Sequence, residues 1–162
     1  MAIEIVRRDL LKAEVDVIAH QVNCMGVMRA GVARQIRDAC PSAYQSYRAY
    51  LSSYGTEDLD KKVLGRVLMC PKPASENWPF GYVAHLFGQY GYCRYPKCYT
   101  DYRALRRCFA SLAIGMRQMG LSSVAMPYKI GCGLAGGDWE NRVYPMIVEM
   151  LSSMDVVLCR LD

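Results

Sequence analysis

The 162-residue chain is long enough for one domain and, with 52% hydrophobic residues, can bury a substantial core. Its formal net charge of +5 is spread over the sequence, which permits an anionic ligand but does not require nucleic acid as a partner. No apolar run approaches the ~18 residues needed to cross a bilayer, so we expect no membrane partner.

The first half of the chain predicts strands followed by helices. Residues 3–6 alternate as in a short strand, and residues 16–22 form the kind of β-branched run found in a buried central strand. Helices are predicted at residues 32–37 and from 42 to about 53, the second opened by Pro41. This half therefore has the order β-β-α-α.

The second half predicts alternating strands and helices. In order, it predicts strands at 66–70 and 82–87, a helix at 101–119 with Thr100 as N-cap, a strand at 122–126, a helix at 139–152 and a strand at 156–160. The full order favours an α/β fold, a three-layer α/β/α sandwich with a mixed sheet of about six strands. We expect a single domain over residues 1–162.

Two glycine-bearing loops, residues 23–31 and 129–138, each follow a predicted strand and precede a predicted helix. In such sheets, ligands bind beyond the carboxyl ends of the strands. Glycines let backbone N–H groups converge on anionic oxygens, and the following helix adds its positive end. A tight strand-to-helix turn is the alternative for residues 131–137, but their four glycines exceed what such a turn needs.

The second loop also contains a literal G-x-G-x-x-G at residues 131–136. It lacks the acidic residue that ends a second strand about 20 positions later in dinucleotide-binding proteins. This match alone is therefore weak evidence for a dinucleotide cofactor, and we expect none.

Three segments of the chain together resemble the macrodomain family: DVIAHQVNC at 16–24, GVMRAGVA at 26–33 and MPYKIGCGLAGGDW at 126–139. The resemblance covers essentially the whole chain. It is nearer to the branch that contains ADP-ribose-1″-phosphate phosphatases and terminal ADP-ribose glycohydrolases. It implies that the ligand is ADP-ribose or an ADP-ribosylated macromolecule, and we expect the protein to be a monomer.

The resemblance implies a role for residues at several positions. Asp9, with Leu10 beside it, takes the adenine amine, while Asn23 and Gln89 meet the distal ribose. The two glycine loops take the diphosphate, and their implied ligand-binding residues are Met28, Ala30, Gly31, Val32, Ile130, Gly131, Cys132, Gly133, Leu134, Ala135 and Gly136. These residue types suit the chemistry, because a carboxylate accepts from an amine and N–H groups hold a diphosphate without charge.

The implied activity is hydrolysis of ADP-ribose 1″-phosphate or of an ADP-ribosyl linkage. Asn23 and Asp138 are the expected catalytic residues: Asn23 places a water over the distal ribose, and either Asp138, as general base, or the terminal phosphate of the substrate itself assists. The same carboxylate can instead cap the helix that starts at Trp139.

This chain also departs from the family pattern. Gln89 and Ala135 occupy the places of a catalytic Lys and Asp in the glycohydrolase branch, so a lysine-adduct mechanism is not expected. A non-catalytic ADP-ribose reader is the alternative function. Arg29 replaces the usual glycine of the first loop, and it can either cap the phosphates or point to solvent.

The remaining residues with chemical potential have structural interpretations. Eight scattered cysteines without a CxxC pair are expected to be reduced thiols in a cytoplasmic protein. His20 and His85 lie in apolar strands and are expected to be buried and hydrogen-bonded, and no residue spacing indicates a metal site. The tyrosines after Phe87 are expected to line a small-molecule cleft rather than stack on nucleic-acid bases: Tyr90, Tyr92, Tyr95 and Tyr99.

Overall fold

A computed structural model of the protein describes residues 2–91, 98–133 and 135–161. Its strands are β1 (Ile3–Arg7), β2 (Val17–Val22), β3 (Val67–Pro71), β4 (Tyr82–Phe87), β5 (Ser123–Pro127) and β6 (Asp155–Arg160). Its α-helices are α1 (Gly31–Ala39), α2 (Pro41–Ser52), α3 (Leu59–Val63), α4 (Tyr102–Gln118) and α5 (Tyr144–Met150). The order of strands and major helices follows the sequence prediction.

The strands form one six-stranded sheet in the order β1-β6-β5-β2-β4-β3. All neighbouring strands are parallel except β3, which pairs antiparallel with β4 at one edge. The predicted mixed sheet and α/β class are confirmed. Because five strands run the same way, the segments that follow them emerge at the same edge of the sheet.

Two hydrophobic layers cover the sheet, one on each face. Side chains alternate along β2, so that Val17 and Ala19 pack with α4 and α5, whereas Ile18 packs with Ile36 of α1. Val22 lies on the same face as Ile18 and packs with residues of α2. Burial on both faces explains why β2 has almost no polar alternation.

Two short elements were not predicted from the sequence. They are a three-residue 3₁₀ turn, Leu10–Lys12, and the five-residue helix α3. Neither is long enough for apolar residues to recur at i, i+3, i+4 and i+7, the pattern that indicates a helix.

The predicted N-cap of α4 was wrong by one residue. The carboxylate of Asp101 accepts a hydrogen bond from the N–H of Ala104 at 3.0 Å and is the cap. The hydroxyl of Thr100 instead donates to the carbonyl of Gly131 at 2.6 Å. The side chain of Thr100, which local sequence would assign to the cap, therefore makes a tertiary contact instead.

The predicted helix at 139–152 begins with a π turn, Trp139–Val143, and becomes α-helical only in α5. The N–H of Val143 donates to the carbonyl of Asp138 at 3.0 Å, five residues back. Pro145 lacks an N–H and its ring crowds the preceding turn, so a regular α-helical ladder cannot run through this segment.

No helix in the described ranges is both long and apolar enough to cross a membrane. Of the cysteines in those ranges, none forms a disulfide, and the side chains of five are buried: Cys24, Cys40, Cys70, Cys108 and Cys159. Burial raises the pKa of several of these thiols, for example that of Cys70 to about 11. These residues act as small core side chains, as predicted.

His20 and His85 form a buried hydrogen-bonded pair on neighbouring strands. Nε2 of His20 lies 2.8 Å from Nδ1 of His85, and Nε2 of His85 lies 2.9 Å from the carbonyl of Ala43. Because a carbonyl only accepts, His85 carries its proton on Nε2 and accepts from His20 through Nδ1. Burial lowers the pKa of His85 to about 4 and holds that of His20 well below its ordinary value. Both rings are therefore neutral, as expected for buried histidines.

This pair makes the fold sensitive to mild acid. The unfolded histidines gain protons as the pH falls below 6.5, while the folded pair stays neutral until near pH 4, so stability is lost in that window. We expect His85 alone to lower the free energy of unfolding by about 2 kcal/mol between pH 6.5 and 5. Urea unfolding of the protein and of His85→Gln at the two pH values measures this share, because the variant keeps the contribution of His20. The loss of stability between the two pH values should be about 2 kcal/mol smaller in the variant. An equal loss in the variant would contradict the assignment.

Candidate functional site

The residues predicted to bind a ligand gather at the carboxyl edge of the parallel strands. Asp9 follows β1, Asn23 follows β2, Gln89 follows β4, and the second glycine loop follows β5. Backbone hydrogen bonds join these segments: the N–H of Cys24 donates to the carbonyl of Tyr90 at 2.8 Å, and that of Tyr99 to Ala135 at 2.6 Å. The topology thus forms one continuous site from distant parts of the sequence.

Asn23 organises the first loop from within. Its Oδ1 accepts from the N–H of Met25 at 2.9 Å, and its Nδ2 donates to the carbonyl of Val27 at 2.9 Å. The hydroxyl of the buried Tyr47 lies 2.7 Å from the carbonyl of Asn23 and 2.9 Å from its Oδ1. The other N–H of the Asn23 amide donates to no described residue, so this side chain shapes the loop and keeps one donor for a further partner.

The start of α1 presents unpaired N–H groups at this edge. The N-cap residue is Ala30, whose side chain cannot accept a hydrogen bond. Within the described part of the chain, the N–H groups of Gly31, Val32 and Ala33 donate to no acceptor. These groups, together with the positive end of the helix, form a place for an anionic oxygen.

The second loop folds back on itself through its glycines. The N–H of Gly137 donates to the carbonyl of Gly131 at 2.9 Å, and that of Gly136 to Gly133 at 3.0 Å. Gly131 and Gly136 have φ values of +77° and +73°, which glycine adopts without strain. The N–H groups of Gly131, Gly133 and Ala135 donate to no residue that the structure describes. The loop therefore offers a second set of amide donors.

A partly buried side-chain network joins the second loop to β2 and to the segment after β4. Nε2 of Gln21 lies 2.8 Å from Oε1 of Gln89 and 2.9 Å from Oγ1 of Thr100. The hydroxyl of Thr100 donates onward to the carbonyl of Gly131. The network links β2, the segment after β4, the start of α4 and the second loop. Sequence reasoning did not assign Gln21 or Thr100 to the site, although a glutamine in an otherwise apolar strand is a signal that could have found the first.

Asp9 lies after the first strand, at the far side of the site. One carboxylate oxygen accepts from the N–H of Leu11 at 3.0 Å and caps the 3₁₀ turn. Its other oxygen accepts no hydrogen bond from any described residue. Leu10 is buried beneath it. The turn therefore fixes a carboxylate with one oxygen available for a donor such as an amine.

The carboxylate of Asp138 caps the π turn. Its Oδ1 lies 3.2 Å from the backbone N of Asn141, and its Oδ2 lies 3.1 Å from the Asn141 side-chain nitrogen. The backbone N–H of Asp138 donates to the hydroxyl of Tyr102 at 2.9 Å. Asp138 therefore has the helix-capping role that the sequence offered as an alternative. The carboxylate is also exposed, so a role as general base stays a prediction.

Several predicted contact residues can reach a ligand only through their backbone. The side chains of Met28, Ile130 and Ala135 are buried, and that of Cys132 is half-buried. Burial raises the pKa of Cys132 to about 11, so this thiol is protonated at neutral pH and is a filler rather than a nucleophile. Leu134 lies outside the described residues.

The other side chains singled out from the sequence have the following places. Arg29 is exposed, with no ion pair to a described residue. Tyr90 is exposed and Tyr99 is half-buried beside the second loop, while Tyr92 and Tyr95 lie outside the described residues. Among the residues with described positions, no three His, Cys, Asp or Glu side chains form a group able to hold a metal ion.

A family model described as Macro domain matches residues 19–144, which is most of the chain. The chain belongs to the macro domain family. The resemblance noted in the sequence is thereby confirmed.

The macrodomain also matches individual proteins. It is 30% identical over 144 residues to an ADP-ribose 1″-phosphate phosphatase of Scheffersomyces stipitis. This match covers 80% of this chain and 81% of the relative. A macrodomain protein structure from Streptomyces coelicolor is 26% identical, with a TM-score of 0.76 and coverage of 98% of this chain and 99% of the other. Thermosipho africanus DarTG in complex with ADP-ribose is 18% identical, with a TM-score of 0.76 over 97% of this chain and 41% of the other, and shows the fold alone.

The geometry of the second loop can be tested at Gly137, whose backbone lies close to that of Gly131. A Cβ at position 137 would lie 2.5 Å from the carbonyl oxygen of Gly131, a backbone atom that cannot move away without opening the loop. We expect Gly137→Ala to lower the free energy of unfolding by about 1–3 kcal/mol, measured by urea denaturation.

Gly133→Ala is the matched control. A Cβ there meets nothing within 4 Å of the described atoms, and its φ is not positive. Its free energy of unfolding should change by less than about 1 kcal/mol. Equal destabilisation by the two variants would contradict the loop geometry.

Proposed function

We propose that this macrodomain binds ADP-ribose across the carboxyl edge of its sheet and hydrolyses ADP-ribose 1″-phosphate or an ADP-ribosyl linkage. The observation that carries the proposal is the order of groups along that edge. A carboxylate follows β1, the amides of the second loop follow β5, Asn23 follows β2 and Gln89 follows β4. This order of groups matches the order of adenine, diphosphate and distal ribose along ADP-ribose.

The size of the edge is also suitable. Four strand spacings separate β1 from β4 in the sheet order, which is a distance of ~19 Å at the usual spacing between strands. A nucleoside diphosphate with a second sugar can extend over such a length. The ligand therefore reaches from Asp9 to Gln89 with its phosphates between them.

The diphosphate is bound in this proposal by neutral amides. The donors are those of Gly31–Ala33 at the start of α1 and those of Gly131, Gly133 and Ala135 in the second loop. Oriented N–H groups and a helix terminus stabilise phosphate without a charged side chain. This agrees with the modest net charge of the chain.

Hydrolysis is supported by the phosphatase relative and by the position of Asn23, whose remaining N–H can hold a water or a ribose hydroxyl. Asp138 is the proposed base, because its exposed carboxylate lies directly after the second loop. With Gln89 and Ala135 where the glycohydrolases have Lys and Asp, water rather than a lysine attacks.

A non-catalytic reader is the second candidate. The observation that favours it is that both carboxylate oxygens of Asp138 already accept hydrogen bonds from Asn141, one from its backbone and one from its side chain. A reader needs only the amide donors and Asp9. The two candidates predict the same binding and differ only in turnover.

Asp9→Asn tests adenine recognition separately from folding. Asparagine keeps an oxygen to accept from the N–H of Leu11, but it places an amide donor where the second carboxylate oxygen was. We expect calorimetry to show ADP-ribose binding weakened by about 1–3 kcal/mol, while thermal stability changes little. Unchanged affinity would place the adenine elsewhere, and absence of binding by the unmodified protein at millimolar ligand would reject the proposed function.

Release of inorganic phosphate from ADP-ribose 1″-phosphate tests turnover. We expect the protein to release phosphate and Asp138→Asn to lower the rate by about 10²-fold, because the variant keeps a cap oxygen but loses the base. Its affinity for ADP-ribose should be unchanged. A rate that survives in Asp138→Asn would remove Asp138 from the mechanism, whereas binding without any phosphate release would favour the reader.

A further inference from the structure

A cleft of about 410 Å³ lies along the free edge of β3, away from both glycine loops. It is lined by residues of α2, β3, α4 and the segment before β3: Tyr50, Gly65, Arg66, Val67, Met69, Arg107, Ser111, Leu112 and Gly115. No acidic side chain lines it. The proposed ADP-ribose site does not use any of these residues.

The backbone of β3 is open along this cleft. β3 is the last strand of the sheet and pairs only with β4 among the described strands. The N–H of Lys72 donates to the carbonyl of Gly81 at 2.9 Å, and the carbonyl of Arg66 accepts from Phe87 at 3.1 Å. Because antiparallel pairing alternates, the residues between them with outward N–H and C=O groups are Val67 and Met69.

Two arginines lie on opposite faces of this strand edge. Arg107 belongs to α4, on the face where Val67 and Met69 pack. Arg66 lies over the ring of Tyr54 at 5.5 Å, on the face covered by α2. Neither Arg107 nor Arg66 forms an ion pair with a described residue. Arg66 donates from Nε to the carbonyl of Lys62 at 2.6 Å and also interacts with the hydroxyl of Tyr50, so its charge is not neutralised.

We propose that this edge binds an extended acidic peptide segment of a partner protein, which adds to the sheet beside β3. Successive side chains of an added strand point to opposite faces. Two adjacent carboxylates therefore reach Arg66 on one face and Arg107 on the other. The peptide backbone pairs with the outward groups of Val67 and Met69, the mode by which exposed sheet edges capture peptides.

The open backbone groups favour a peptide over a nucleic acid. The planar guanidinium group of arginine matches the geometry of both carboxylate and phosphate groups, so the arginines alone do not distinguish the two partners. A row of outward N–H and C=O groups at strand spacing is matched only by another peptide backbone. Pro71 occupies the next outward position and has no N–H, so the pairing is limited to a short segment.

Capped hexaglutamate is the probe, with capped hexaglutamine as the neutral control, titrated into the full chain and followed by NMR. Its charges keep it extended in solution. We expect saturable binding of hexaglutamate only, with exchange of the Val67 and Met69 amide protons slowed about tenfold or more. Arg107→Met and Arg66→Met should each weaken binding about tenfold or more. Arg117→Met, in the last turn of α4 and outside the cleft, should leave it unchanged.

Three results would overturn the proposal. The first is no saturable binding of hexaglutamate, or binding that is unaffected by either arginine substitution. The second is arginine-dependent binding without slowed exchange at Val67 and Met69, which would leave only charge attraction. The third is tighter, arginine-dependent binding of a six-residue oligothymidylate, which would assign the cleft to nucleic acid. None of these results bears on ADP-ribose binding, which is measured separately.

Discussion

The geometry of the proposed site depends on the side-chain amide of Gln21. This group contacts Gln89 after β4 and Thr100 at the start of α4, and Thr100 in turn holds the carbonyl of Gly131. The loops that follow β4 and β5 are thereby fixed against β2. Parallel pairing brings these segments to the same edge, and the network, together with backbone hydrogen bonds such as that from Tyr99 to Ala135, sets their spacing. Both hydrogen bonds of the network come from Nε2 of Gln21, while its Oε1 is buried and accepts none from a described residue.

A site built from backbone amides needs a rigid main chain more than it needs charge. The loop after β5 achieves this by closing through Gly137 onto Gly131. The loop after β2 achieves it through Asn23 and Tyr47. In both loops some side chains are buried, such as those of Met28 and Ile130, while backbone N–H groups nearby have no acceptor among the described residues. This arrangement explains how loops with such apolar residues can belong to the proposed site for an anion.

Much of the fold and the location of the site could be predicted from the sequence, because they depend on local patterns. Burial on both faces gives β2 its continuous apolar run, and glycines mark the two loops. The features that could not be predicted are tertiary. Thr100 looks like an N-cap until its contact with Gly131 is known, and no local pattern reveals that the N–H of Asp138 donates to the hydroxyl of Tyr102. The cleft beside β3 was not predicted, because it combines residues from separate elements whose adjacency no sequence period reveals.

We propose that ADP-ribose lies across the carboxyl edge of the sheet, held by the amides of both loops. A crystal structure of the protein with ADP-ribose is the decisive experiment. We expect adenine at Asp9, the diphosphate on the N–H groups of Gly31–Ala33 and of the second loop, and the distal ribose at Asn23. A ligand bound elsewhere, or bound there with its phosphates away from these amides, would contradict it.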